Sequence, residues 1–436
     1  MSRLRPRAVA SKAVSAVRRG TALARRAGGT AADRLAAART SRVLGPRDDD
    51  AFTVIVHFAG DAASAYQLEQ WLWPLERLAA EESVGILCRG ARTAERIAGR
   101  TGLPVRYGRS IADLDAVLGA ESVRCVLYVN QATQNFHALR HPRPAHVHLS
   151  HGESEKASMV TNQLKAYDLV FTAGEAARER LRSQLIGFGE DRMIDVGRPQ
   201  LDQPRPLPRE WMDFAASHPA RPGKTVLWAP TWEGDSSSMA YGTLTRSGEA
   251  LVRELASAGA RIIYRPHPRT GFLDREFRNA HRRVSELVAQ AGGFVDVTPA
   301  VGWQFDVADA CIAEMSSVAF DWLATHKPLA LLEPADARAV RQRGGLFDRV
   351  PSFPAENAAQ AVASVLRQLP GVSGGHGGAA GEGGGASGAE TDTRELAAAA
   401  EHYLGDTAPG AQMRRFADAV RRVAEERVIL LRARAG

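Results

Sequence analysis

Residues suited to phosphate chemistry recur in the 436-residue chain, each just after an apolar, strand-like run. Arg265-Pro266-His267-Pro268 follows "ARIIY". Two prolines cannot continue a central strand, so they fix an extended exit that pins an imidazole beside a guanidinium. Such a pair suits a pyrophosphate, because arginine offers forked donors and histidine can donate or take a proton near neutral pH. A structural turn would use the same residues. "APTW", Ala229 to Trp232, follows another strand-like run, and Thr231 there can cap the next segment or touch a phosphate. Ser316 and Ser317 stand between "DVADACIA" and a helical pattern over about 317–325. Either serves as a helix N-cap, or joins the free N–H groups of a helix start in holding an anion. Glu314, just upstream, is better suited to orient a histidine, an arginine or a ligand hydroxyl than to face phosphate.

"HALRHPRPAHVHLSHGESEK" carries five histidines: His137, His141, His146, His148 and His151. His146 and His148 alternate on one strand face, so a metal site with His151 and Glu153 is conceivable, but no ligand set of closed zinc spacing is present. The stronger candidate is His151 followed by Gly152, where the missing side chain lets a ligand approach the backbone. A histidine there can act as general base towards an attacking hydroxyl. Lys156, five residues on, can steer a phosphate. No GxxxxGK[ST] loop occurs, and "GFGEDR" lacks the third glycine of a dinucleotide fingerprint.

These motifs need strands and helices to hold them. From residue 51 the chain alternates strand-like and helical segments, which predicts parallel, doubly wound α/β sheets. A proline-rich stretch near 202–223 interrupts the series, and a second one follows. The division is a basic N-terminal arm, 1–50; a Rossmann-like domain, 51–205, for the acceptor; a second, 206–370, for a nucleotide donor; a Gly-rich flexible loop, 371–392; and C-terminal helices, 393–436. Two Rossmann-like halves facing a central cleft constitute the GT-B architecture, and ligands of open α/β sheets bind beyond the carboxyl ends of the strands.

Residues 1–47 hold twelve Lys and Arg against Asp33 alone, +11, so the remainder of this +7 chain is mildly acidic at −4. Such an arm is either a solvated tail or an attachment to an anionic membrane surface; nucleic acid is not the expected partner. The arm lacks the continuous apolar core of a secretory signal, and no apolar run is long enough to span a bilayer. Cys88, Cys125 and Cys311 each lie in a strand-like run without CxxC pairing, which predicts buried thiols and a cytoplasmic protein.

"APTW", "RPHP", "SSVAFDWLATHKPLALLEP" and "HG" with Lys156 resemble, in this order and spacing, the CDP-glycerol glycerophosphotransferases of teichoic acid synthesis. "DVGRPQLD" resembles that family's Gly-x-Pro-Arg-x-Asp segment, and "YLGDTAPGAQMRRFADAVRRV" its closing helix; the likeness covers roughly 120–425. The resemblance implies a GT-B enzyme, peripheral on the inner face of the cell membrane. It would move glycerol phosphate from a CDP-alditol donor to a polyol-phosphate or lipid-linked acceptor and release CMP, with no cofactor and no obligatory metal. It makes His151 the base, with His267 also catalytic. Arg265, Thr231, Ser316 and Ser317 would surround the donor's pyrophosphate, with Glu314 and Lys156 near the phosphates. Gly152 and Asp321 match family positions with structural or binding roles. The chain departs from the family at Ser150 for Trp, Ser154-Glu155 for Pro-Leu, Glu314 for Asp, Glu233 for a frequent Arg and Gln200 for Arg. The alternatives are a GT-B glycosyltransferase or epimerase using a UDP-sugar, and a binding protein acting through its basic arm.

Overall fold

A computed structural model of the chain describes residues 35–218, 224–299, 301–369 and 385–435. Most of the expected basic arm and the Gly-rich segment 371–384 lie outside the described residues. The chain forms two compact units, Met1–His146 with Val423–Gly436, and Val147–Arg422.

In the first unit, β1 (Val54–Phe58), β2 (Val84–Cys88), β3 (Val105–Tyr107) and β4 (Cys125–Tyr128) form parallel ladders with β1 between β2 and β4. All five residues of β1 and of β2 are buried. That accounts for continuous apolar runs where a half-solvated strand would alternate. Cys88 and Cys125 are buried in these strands, and burial pushes the Cys88 thiol up to about 12. The amphipathic run "AYQLEQWLWPLERLAAEE" forms two short helices, Tyr66–Glu69 and Leu72–Leu78. Pro74 sits in the first turn of the second, where its missing N–H removes no helical bond.

β5 (Ala145–His148) leads into the second unit, where β6 (Leu169–Thr172) pairs in parallel with β5 and with β7 (Met193–Asp195). A separate six-stranded sheet follows: β8 (Thr225–Ala229), β9 (Arg261–Tyr264), β10 (Phe294–Val295), β11 (Ala310–Ala313), β12 (Leu329–Leu332) and β13 (Ser352–Phe353). Its order is β10-β9-β8-β11-β12-β13, parallel throughout. Alternate residues feed opposite cores. Val226, Trp228, Ile262 and Ile312 pack under helices Leu244–Ser257 and Ala358–Arg367. Leu227, Ala229, Ile263 and Cys311 face the other way, towards Leu396, Ala400 and Tyr403. Those last residues belong to helix Gly385–Leu404, which starts inside the stretch expected to be loop up to 392. The Ala- and Glu-containing end of that stretch favours helix over the glycines before it.

The strand ends position the motifs. The register sets Ala229 of β8 beside Ala313 of β11, and Trp228 beside Tyr264 of β9. Thr231, Arg265 and Glu314 therefore leave three adjacent strands at their carboxyl ends.

Candidate active site

Every residue expected in catalysis or phosphate binding lies in the second unit. Glu314 is fully buried, and its carboxylate takes three hydrogen bonds: from Thr231 N (2.8 Å), Thr243 N (2.9 Å) and Thr243 Oγ1 (2.5 Å). Burial pushes this carboxyl up to about 7, opposed by those donors and by the nearby Lys156 charge. Glu314 thus fastens the turn after β8 to the end of β11, presenting Thr231. Lys156 Nζ donates to Thr231 Oγ1 at 3.2 Å and lies 5.8 Å from the Tyr241 ring centre. Burial draws its ammonium down to about 8, so it remains mostly charged at neutral pH.

Arg265 is held by Asp296, with Nη1 to Oδ2 at 2.6 Å, and by the Thr298 carbonyl at 3.2 Å. Asp296 itself is buried and also accepts from Thr298 N, Thr298 Oγ1 and Gln304 Nε2. One edge of the guanidinium is thereby fixed, and Nη2 has no protein partner among the described residues. His267 accepts from Arg269 N through Nδ1 at 3.1 Å and stacks on Trp232. A neutral His267 with Nδ1 as acceptor carries its proton on Nε2, a donor for an oxyanion. Burial, reinforced by the charges of Lys156, Arg269 and Arg265, lowers its pKa to about 3.

His151 follows Ser150, which adopts φ 61°, a left-handed conformation unusual for a residue with a side chain. Arg198 Nη1 donates to the His151 carbonyl at 3.3 Å, while Nε and Nη2 grip Asp321 at 3.0 and 3.3 Å. Burial first, then the Arg198 and Lys156 charges, lower His151 to about 4 and keep its imidazole neutral at physiological pH. Gly152 passes close to Ser317, and a Cβ at 152 would lie 3.2 Å from the Ser317 Cβ. Ser316 occupies the N-cap position of Ser317–Trp322, yet its side chain makes no capping bond. Its buried hydroxyl has no hydrogen-bond partner among the described residues. A buried hydroxyl left unmade is costly, so capping does not explain this serine, and a ligand oxygen would.

Two of the four conceivable metal ligands, His146 and Glu153, are engaged by other partners. Both ring nitrogens of His146 are engaged, with Tyr128 Oη at 2.8 Å and the His141 carbonyl at 2.7 Å. Glu153 forms a buried pair with Arg180. His148 lies against the Tyr167 ring. Asp321 is engaged with Arg198, and Glu314 with backbone and hydroxyl donors.

Four anchoring groups escaped the sequence reading. Arg198 and Asp296 have just been described. Glu155, in the place of a family leucine, accepts from Leu346 N at 3.0 Å and from the Tyr403 hydroxyl. Glu233 accepts from Gly271 N, Leu273 N and Asp274 N and so holds the loop after "RPHP". Arg198 lies inside "DVGRPQLD", two residues before the family departure at Gln200. The signal for Asp296 was an acid directly after an apolar strand.

Two parallel sheets with motifs at their strand ends define a GT-B enzyme, and the solved structures agree on that fold. Wall teichoic acid polymerase TagF is 13% identical, with 86% of this chain and 90% of that chain covered and a TM-score of 0.52. A putative UDP-N-acetylglucosamine 2-epimerase from Listeria monocytogenes is 12% identical over 83% of this chain and 94% of its own, at 0.52. S. aureus MnaA with UDP is 13% identical over 83% and 94%, at 0.53. No curated protein matches the sequence. The chain belongs to the CDP-glycerol:poly(glycerophosphate) glycerophosphotransferase family, whose model matches residues 127–372. It is a glycerophosphotransferase-like enzyme, and the expectation drawn from its motifs holds.

Proposed function

We propose that this enzyme transfers glycerol phosphate, or a related alditol phosphate, from a CDP-alditol to a polyol-phosphate or lipid-linked acceptor. The product extends teichoic acid or a related wall or capsule polymer. The acceptor oxygen attacks the distal phosphorus of the donor; the new P–O bond forms as the P–O bond to CMP breaks, and the acceptor proton passes to His151. Catalysis of this kind is mainly positioning and charge stabilisation. Arg265, Lys156, Thr231, Ser316 and Ser317 offer donors to the pyrophosphate, and His267 donates from Nε2. Asp321 and Glu314 hold these groups in place. The carrying observation is the buried hydroxyl of Ser316, which finds no hydrogen-bond partner among the described residues, at the end of the sheet whose neighbouring strand ends carry Thr231, bound by Lys156, and Arg265.

His151, at about 4, would be a weak base alone. A bound pyrophosphate brings negative charge that raises a nearby histidine's pKa towards the range where a base works well. Among the solved structures of TagF, one carries a histidine replaced by asparagine with CDPG soaked in, and another a different histidine replaced by alanine. Two histidines frame the site here as well. Among the described residues no helix is long and apolar enough to cross a membrane. The enzyme works on the cytoplasmic side, attached peripherally to the membrane's inner face through its basic N-terminal arm.

The test is nucleotide release from purified protein given CDP-glycerol, CDP-ribitol or UDP-sugars with a polyol-phosphate acceptor. CMP from a CDP-alditol, lost in His151→Ala, is expected. UDP released from a UDP-sugar would move the chemistry to glycosyl transfer on the same fold.

A further inference from the structure

The loop after "RPHP" holds two large apolar side chains out in solvent. Phe272 is 67% exposed and Leu273 56%. A free loop would relieve such exposure by folding back, and this one is clamped from both sides. The Glu233 carboxylate takes the N–H groups of Gly271, Leu273 and Asp274 at 2.9, 2.8 and 3.0 Å. Arg278 gives two hydrogen bonds to the Gly271 carbonyl, at 2.9 and 2.7 Å. Gly271 itself has φ 72° and meets the Arg278 backbone so closely that an added Cβ would lie 2.6 Å from its Cα. The clamp preserves the exposure, at the cost of burying a carboxylate.

The surroundings are basic. Residues 269–283 contain five arginines against Asp274 and Glu276. Arg269 lies over the Trp232 ring at 3.8 Å and 5.5 Å from the Phe272 ring centre, while Arg275 and Arg282 are exposed. Arg283 is paired with Glu249. An apolar tip beside Arg269, with the exposed Arg275 nearby in sequence, fits the interface of an anionic bilayer, where the apolar groups leave water and the guanidiniums meet headgroup phosphates.

We propose that Phe272 and Leu273 form a rigid prong that inserts into an anionic lipid surface, a contact separate from the basic N-terminal arm. His267 and Arg265 sit on the same loop, so insertion would bring the transfer centre to the surface that holds a lipid-linked acceptor. That consequence rests on the proposed function; the lipid contact does not.

The full-length chain is mixed with vesicles of equal phosphatidylcholine and phosphatidylglycerol, or of phosphatidylcholine alone, and sedimented. Phe272→Ser/Leu273→Ser should bind the anionic vesicles roughly tenfold or more weakly than the parent, given what burying two such side chains is worth. Leu273→Cys carrying an environment-sensitive dye gives a second readout, since the three native cysteines are buried. Its emission should shift to the blue with anionic vesicles only. Unchanged sedimentation of the double variant together with an unshifted dye overturns the prong. CMP release with a short water-soluble acceptor, measured in parallel, should be the same in parent and double variant. Loss of membrane binding with turnover intact, or turnover absent with membrane binding intact, separates the two proposals.

Discussion

Replacing Asp321 with asparagine should destabilise the second unit by about 3 kcal/mol. The side chains of Arg198 and Asp321 are 7% and 10% exposed, and their closest contact is 3.0 Å. At an effective dielectric of about 20, unit charges that far apart attract by roughly 5 kcal/mol. Asparagine keeps one hydrogen bond to the guanidinium, which offsets part of that loss. The remainder agrees with the roughly 3–5 kcal/mol lost when one partner of a buried pair is removed. Five of the seven tryptophans, Trp211, Trp228, Trp232, Trp303 and Trp322, lie in this unit, so urea unfolding followed by tryptophan fluorescence reports on it. With a slope of about 3 kcal/mol per molar, the midpoint should fall by roughly 1 M.

Arg198→Met/Asp321→Leu should restore most of that stability, because neither charge is then left buried alone. Activity should stay impaired, because the hydrogen bond to the His151 carbonyl is gone. Loss of the Arg198 cation also raises the His151 pKa, so the acid limb of the pH–rate profile should move to higher pH. A midpoint shift in Asp321→Asn below about 0.3 M, equivalent to under 1 kcal/mol at that slope, would refute the reasoning. So would a double variant with restored stability and unaltered kcat and pH profile.

Removing a donor aimed at a phosphoryl oxygen should slow chemistry more than binding, so His267→Ala should lower kcat by about 10²–10³ while donor KM changes little, as measured by CMP release. Tyr403→Phe leaves the Glu155 carboxylate without its hydroxyl donor and should cost about 1.5–3 kcal/mol in urea unfolding. Stability should also depend on acid in two stages. His57, His148, His151 and His267 are held below 6.5 by burial, at about 3, 3, 4 and 3. The unfolded chain protonates them first, so they withdraw stability as pH falls from 6.5 towards those values. Glu153, Glu155 and Glu314 are raised by burial and act in the opposite sense down to their unfolded pKa. Unfolding midpoints should therefore change gently from pH 7 to about 4.5 and fall steeply below it. There only the histidines still respond, with carboxyls such as Asp50 and Glu233, which burial raises but hydrogen bonds hold below their ordinary range. A midpoint level down to pH 3.5 would mean that the histidines are not held neutral.

The strands and their motifs were legible because burial and backbone chemistry leave local marks. Continuous apolar runs announced parallel strands, and Pro266 and Pro268 marked a strand exit. What stayed hidden is pairwise and distant. Nothing near Arg198 in sequence announces Asp321, 123 positions on, or Gln412, whose side chain accepts from Arg198 N. Glu155 reads locally as one acid among several, and only the fold brings Leu346 and Tyr403 to it. The two short helices at 66–78 and the early start at Gly385 show the same limit from the other side. Propensity names the element, while packing decides where it breaks.

The departures from the family pattern acquire a physical sense once these partners are visible. Glu233, where the family often has arginine, binds backbone N–H groups instead of phosphate. Gln200 stands in a family arginine position, and its buried amide finds no partner among the described residues. Arg198, two residues earlier, carries the guanidinium that binds Asp321 and the His151 carbonyl. Glu155 ties the His151–Lys156 segment to helix Gly385–Leu404 through Tyr403, a tether that a leucine cannot make. Gly174 lets that helix end come close, since an added Cβ would lie 2.8 Å from Tyr403 C. The positive charge thus sits at Lys156, Arg198 and Arg265, each held by a named partner. A family arginine restored at Gln200 would be expected to compete with Arg198 for Asp321 without replacing its bond to His151. If Gln200→Arg rescued Arg198→Met in both kcat and pH profile, the two positions would be interchangeable, and the argument that Arg198 acts by its place beside His151 would fail.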